Sequence, residues 1–297
     1  MASPATGHPV SSPSFSASGV MSQARSENFP VASRVLPRAL RPHFLAVYGF
    51  ARLVDDIGDE AEGDRMAQLD WAEAELERAA LGSPEHPVFV ALAPTIARFD
   101  LPLDPFLALI AANRQDQTVT RYATFDDLAA YCMLSAAPVG QLVLSILEAA
   151  TPERMARSDH VCIGLQLVEH LQDVAEDARA GRIYLPLEDL ALFGCPTEAV
   201  SEAGTLLKEE HRPALRDVVA YEVRRARALL ADGAALSASL RFRPRLAVAA
   251  FSAGGEAALD AIERASYDVV AHRCRPRPHR FAARWLATCL SKSVARS

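Results

Sequence analysis

The stretch QLVEHLQDVAED, residues 166–177, decides how this chain is read. On a helix, residues four apart lie above one another. Glu169, Asp173 and Asp177 therefore form one vertical row, with Gln166 a turn before it. Like charges stacked in this way repel, and turned inward they are costly unless something neutralises them. The helix that carries them has clear ends. Thr151 suits an N-cap, Pro152 the first helical position, and Gly181 the exit, with Pro186 beyond it. That spacing predicts a helix of about 29 residues, or roughly 43 Å.

A second row lies far upstream. FARLVDDIGDE (50–60) sets Asp55 and Asp59 four apart, with Asp56 beside them, on a predicted helix from about Arg41 to Glu60 whose Tyr48, Phe50 and Leu53 side is apolar. One acidic row reads most simply as a solvated face. Two such rows on two long helices can face each other across a bundle, a geometry that holds metal ions between helices. Mg2+ takes hard oxygen ligands, usually a few carboxylates plus substrate phosphate. Arg52, one turn before Asp55, offers a fork of donors for phosphate oxygens. The GxxxxGK and GxGxxG patterns of nucleotide loops are missing from the sequence. A metal-held diphosphate beside a dry apolar pocket suits ionisation of a diphosphate ester, with aromatic groups around the carbocation left behind.

The rest of the chain agrees with an all-α protein. Of its 297 residues half are hydrophobic, enough for a sizeable core, and the net charge of −6 speaks against a nucleic-acid partner. Residues 1–24 are rich in Ser, Pro and Ala without periodicity and are expected to be disordered. Residues 25–274 have a helical pattern throughout, and a third helix is expected from about Met66 to Leu81. No linker divides this region, which predicts a single domain of long helices around a central cavity. After Asp268 no acid follows, while Arg273, Arg275, Arg277, Arg280, Arg284, Lys292 and Arg296 do. Residues 275–297 are therefore expected to form a basic, amphipathic tail, with Phe281, Trp285 and Cys289 on one stripe, suited to an anionic membrane surface. Five scattered cysteines without zinc or redox spacing suggest reduced thiols in the cytoplasm. No basic start precedes an apolar block and no apolar run is membrane-spanning, so neither a secretory leader nor a transmembrane helix is expected. His43, His160 and His170 are expected to be structural, histidine being a poor Mg2+ ligand.

RSENFPVASRVLP, YGFARLVDDIGDE, YCMLSAAPVGQLVL and GLQLVEHLQDVAEDARAGRIYLP, in this order, resemble the squalene/phytoene synthase family over about residues 25–275. Within it they look most like the hydroxysqualene synthases of bacterial hopanoid pathways. The resemblance implies an all-α isoprenoid-synthase fold and dependence on two or three Mg2+ ions, with Mn2+ as the alternative. It implies conversion of presqualene diphosphate and water to hydroxysqualene without NADPH. It also implies Asp55, Asp59, Asp173 and Asp177 as catalytic metal ligands, joined by Asp56 and Glu169. Ser26, Phe29, Tyr48, Arg52, Gln166, Arg182, Tyr184 and Arg273 match substrate-contacting positions. Glu169 stands where the family often has Asn, and Gln172 where enzymes joining two prenyl diphosphates commonly have Arg. Met133 and Leu134 stand where relatives tend to carry an aromatic hydroxyl, and Ala137 where they carry Asn or Gly. The rival reading is a squalene or phytoene synthase that condenses two farnesyl or geranylgeranyl diphosphates. A non-catalytic diphosphate-binding scaffold subunit is the remote one. The expected partner enzymes are a presqualene diphosphate synthase and a squalene-forming oxidoreductase, at the inner face of the cytoplasmic membrane.

Overall fold

The computed structural model describes residues 37–197, 200 and 209–290. The expectation of disorder over 1–24 lies outside these residues. Among those described, twelve α-helices and one 3-10 turn make up the regular structure, and no strand occurs. The helices are α1 (Arg41–Asp59), α2 (Arg65–Ala80), α3 (Pro87–Phe99), α4 (Asp104–Gln115), α5 (Phe125–Ser135), α6 (Ala137–Ile146), α7 (Pro152–Arg179), α8 (Leu187–Leu192), α9 (Arg212–Leu230), α10 (Asp232–Ser239), α11 (Phe242–Arg264) and α12 (Pro278–Leu290).

The long helix α7 follows its sequence signals. The Thr151 hydroxyl accepts a hydrogen bond from Arg154 N–H at 3.2 Å, and Pro152 opens the first turn. At the other end Gly181 adopts φ 79°. Arg182 N–H then reaches back to the Asp177 carbonyl at 2.9 Å and Gly181 N–H to that of Ala178 at 3.1 Å, a Schellman closure. This closure matters for the site, because it turns the chain so that Arg182 lies beside the last acid of the row.

Two apolar clusters flank the centre. One joins α1 to α4 around Phe50, which meets Phe89 at 5.8 Å and Phe106 at 5.1 Å, both edge to face. Such ring pairs add about 0.5–1.5 kcal/mol beyond their burial. The other surrounds α7 with α5, α9 and α11 through Leu167, Val168, Leu171 and Val174. α1 packs closely on α3, α4 and α6, and α7 on α6, α9 and α10, but α1 and α7 are not a closely packed pair. The gap between them is the central cavity. α5 and α6 run on with a break at Ala136, and Phe125–Ile146 is apolar and long enough to cross a membrane by length and composition alone. Half of that stretch is buried here, with Leu128, Cys132, Leu142 and Leu144 in the core.

A charged knot fastens α8 to α9. Arg225 donates to Asp189 at 2.7 Å and to Glu222, and its guanidinium stands 4.1 Å from the Phe125 ring centre. Asp189 and Glu222 are 4 % and 1 % exposed. Burial pushes the Glu222 carboxyl up to about 8, so it holds a proton at neutral pH. The expected basic tail does not stand apart. From Pro278 to Leu290 it is helix α12, packed on α11, while Lys292 and Arg296 lie outside the described residues.

Candidate active site

The two acidic rows meet in one cavity of about 250 Å³. From α1 come Asp55 and Asp59. From α7 come Gln166, Glu169, His170, Asp173 and Asp177, and Asn113, Asp116, Tyr131, Ser135, Arg182 and Tyr184 complete the polar lining. Six carboxylates thus share the cavity with one arginine. Arg182 donates to Asp59 at 2.8 Å, linking the end of α7 to the end of α1.

Helical rotation explains which acids of the first motif face inward. Each residue turns about 100° from the last. Asp55 and Asp59 share one stripe, while Tyr48, Arg52, Asp56 and Glu60 occupy the next. Asp56, expected as a metal ligand, is not among the cavity's lining residues: its carboxylate is 8 % exposed and pairs with Arg52 at 2.7 Å. The cavity bounded by described residues does not reach Tyr48 or Arg52 either. Arg273 stands on the rim, where it donates to Glu176 at 3.2 Å. Gln172, one residue before Asp173, donates to the Cys274 carbonyl and ties α7 to the segment that carries Arg273. Ser26 and Phe29 lie outside the described residues.

α4 supplies what the two motifs lack. Asn113 donates to Asp55 at 3.2 Å and to the Leu109 carbonyl at 3.1 Å. It fits because residue 58 is glycine: a methyl group there would overlap the Asn113 amide. Asp116 accepts from the Tyr131 hydroxyl at 2.7 Å and from Tyr184 at 3.2 Å. These phenols belong to a ring stack. His170 lies flat on Tyr184 with centres 3.9 Å apart, and Tyr131 and Tyr122 stack on the same ring at 5.7 and 5.9 Å. Burial holds His170 down at about 3, so the ring is neutral. His43 and His160 do have structural partners, Thr95 at 2.9 Å and Asp232 at 2.6 Å. Asn113, Asp116, Ser135 and Tyr131 were not singled out in the sequence, and His170 was expected to be structural but lines the cavity. The only hint was ANRQD (112–116), two polar residues one turn apart at the end of a helix that is otherwise apolar on that side.

Crowding raises the acids. Burial, then Asp173, pushes Asp177 up to about 7, and burial with Asp59 pushes Asp55 up to about 6 against the Asn113 bond. Asp116 and Asp173 move the same way for the same first reason. Asp55 and Asp173 open onto the cavity and stay in reach of water. A folded-state value above the unfolded 3.8 means stability that is lost as pH rises through the folded value. Asp55, Asp177 and Glu222 all follow this sign. Below about 6.5 the unfolded-state protonation of His170 works in the opposite direction. The metal-free chain should therefore melt several degrees higher at pH 6.8 than at pH 8.5; Glu222→Gln should remove most of the difference and Asp177→Asn a smaller part. Scanning calorimetry checks this, and a higher melting point at pH 8.5 would contradict the raised acids.

Two acidic rows facing over buried aromatic rings, in an all-α bundle, define an enzyme built to hold a polyanionic group beside an apolar reacting centre. The squalene/phytoene synthase family model matches residues 22–282, and the chain belongs to the squalene/phytoene synthase family. It is 34 % identical over 279 residues to the hydroxysqualene synthase of Rhodopseudomonas palustris, covering 92 % of this chain and 91 % of that one. It is 35 % identical over 266 residues to a phytoene synthase of Arthrospira platensis, covering 83 % of each. Among solved structures, the squalene synthase HpnC from Alicyclobacillus acidocaldarius superposes with a TM-score of 0.77 at 43 % identity, over 84 % of this chain and 94 % of that one. As a member of this family the chain is a prenyltransferase-type enzyme that binds a prenyl diphosphate.

Proposed function

We propose that the chain converts presqualene diphosphate and water into hydroxysqualene and diphosphate, with Mg2+ as cofactor. The observation that carries this reading is the arrangement of the cavity: carboxylates on its open side, neutral rings buried behind them. Among the described residues no three His, Cys, Asp or Glu side chains come close enough to hold an ion by themselves. A donor set made of oxygens alone, with too few at any point for a protein cage, fits Mg2+, which keeps waters and completes its shell with substrate phosphate. Asp55 and Asp59 on one side, and Glu169, Asp173 and Asp177 on the other, would hold it. Bound there, Mg2+ would neutralise the diphosphate and stabilise it as a leaving group.

The chain's own residues supply the remainder. Arg182 stands at the junction of the rows, where its second edge can meet a diphosphate oxygen. Asp116 fixes the Tyr131 and Tyr184 hydroxyls, so these rings wall the pocket where the cyclopropylcarbinyl cation would rearrange. His170 adds ring surface without adding positive charge. Water captures the cation, the carbon–oxygen bond to diphosphate having broken first. The long hydroxysqualene synthase match and the Gln172 substitution support water capture over condensation of two diphosphates. The comparable identity to a phytoene synthase keeps that condensation as the second reading. Incubation with presqualene diphosphate and Mg2+ in 18O water, without NADPH, should give an alcohol about 2 Da heavier than in ordinary water. Farnesyl diphosphate alone should be turned over poorly. Efficient conversion of farnesyl diphosphate, with no labelled alcohol from presqualene diphosphate, would hand the assignment to the second reading.

A further inference from the structure

One end of the bundle carries a surface that the cavity chemistry does not use. α11 starts at Phe242, whose side chain is 81 % exposed. Its φ of 52° lies in the left-handed region that bulky residues rarely adopt. The local sequence is RFRPR (241–245), and the Arg241 guanidinium lies 5.9 Å from the Phe242 ring centre. α12 runs back along α11. Phe281 comes within 4.0 Å of the position a side chain would take at Gly254, Trp285 donates to the Leu246 carbonyl at 2.9 Å, and Arg245 donates to that of Cys289 at 2.6 Å. The C-terminal end of α12 therefore sits beside Phe242. Arg284 fixes the rotation of α12 by donating to Asp260 at 2.6 Å. Leu286 is left 61 % exposed.

The segments that build this tip carry one sign of charge, the nearest acids from another element being Glu148 and Glu153 around the start of α7, whose Arg154 donates to the Ser239 carbonyl at 2.7 Å. No acid occurs from 233 to 255 or from 269 to 297. Along α11 the nearest acid to Phe242 is Glu256, about 21 Å away at 1.5 Å per residue, and it pairs with Arg227. Arg241 and Arg243 are exposed beside Phe242, and Arg275, Arg277 and Arg280 are exposed at the other end of α12.

We propose that this end of the molecule, the α11 tip with the outer face of α12, docks on the surface of an anionic lipid bilayer. Phe242 and Leu286 enter the headgroup layer, and Arg241 and Arg243 meet lipid phosphates. An exposed aromatic at the start of α11, flanked by Arg241 and Arg243, matches a surface that is apolar just below a plane of negative charge. The inference stands on this geometry and not on which prenyl diphosphate the cavity takes.

The test is co-sedimentation of the full chain with phosphatidylcholine vesicles, with and without one-third phosphatidylglycerol. The wild type should pellet only with the anionic vesicles, and less so as salt is raised. Arg241→Gln and Arg243→Gln should each weaken binding about fivefold, the equivalent of about 1 kcal/mol per basic residue. The double variant Phe242→Gly, Leu286→Ser should weaken it about tenfold, with its melting point and its turnover of detergent-dispersed substrate unchanged. Phe242→Trp gives a positional readout: brominated lipids should quench it more than they quench the wild type. The proposal is overturned if the wild type stays in the supernatant or the double variant pellets like the wild type. It is also overturned if that variant instead dissolves a concentration-dependent dimer, since the face would then belong to a second copy of the chain.

Discussion

Asp173→Asn is expected to lower turnover by about 100-fold or more at saturating Mg2+, and Asp55→Asn to do the same, while both variants remain folded. Each change removes one negative charge with almost no change in volume. Charge stabilisation of a departing diphosphate by bound metal supplies several kcal/mol, and about 2.7 kcal/mol is already 100-fold. Folding should survive because each acid resists ionisation where it stands, Asp55 through burial and Asp59, Asp173 through burial and Glu176. Without metal, a neutral side chain relieves that repulsion. Asp56→Asn is the informative control. Asp56 sits one residue along, on the stripe that pairs with Arg52, so its loss should cost less than tenfold in turnover. Diphosphate release at saturating substrate measures all three. Near-normal turnover for Asp55→Asn or Asp173→Asn would remove that row from the metal site.

Arg225→Ala should destabilise the fold by about 3–5 kcal/mol, the range for removing one partner of a buried ion pair. For a chain of this size that is a drop of roughly 10 °C in melting temperature. The arginine is the counter-ion of Asp189 and also donates to the neutral Glu222 carboxyl, both acids being almost wholly buried, and it covers the Phe125 ring. Its removal strands a charge where no water replaces it. Glu222→Gln should change the melting point little, because burial already keeps that carboxyl protonated at neutral pH. Thermal unfolding at pH 7 separates the two. Equal, small shifts for both variants would mean that the knot holds no net charge to strand.

The long acidic helix was legible because every signal in it agreed. The cap, the proline, the exit glycine and the four-residue period all pointed to α7, which runs from Pro152 to Arg179. The facing row was legible for the same reason, and α1 and α2 end within one residue of expectation. Which acids of DDIGDE face inward was less so. Three aspartates in five residues cannot all share a face, and only packing chooses the stripe. The supporting shell left almost no trace. Asn113 and Asp116 act through contacts to residues 58 and 68 positions away, and a lone polar pair on an apolar helix does not say what it will meet. His170 looked structural and is buried, yet its stacking on Tyr184 makes it part of the cavity wall. The C-terminal segment was read as a tail because its charge was visible, whereas the clamp through Arg284 and Trp285 that makes it a helix of the bundle was not.

The fit between Gly58 and Asn113 bears on how this motif can drift over generations. The glycine between Asp55 and Asp59 is usable because an amide from a distant helix fills the space above it. Neither position is free to vary alone. An alanine at 58 expels the amide that steadies Asp55, while a larger residue at 113 collides with the α1 backbone. Lineages that change one should show a compensating change in the other. In such lineages, the letters between the aspartates would record the shape of α4 rather than any demand of the chemistry.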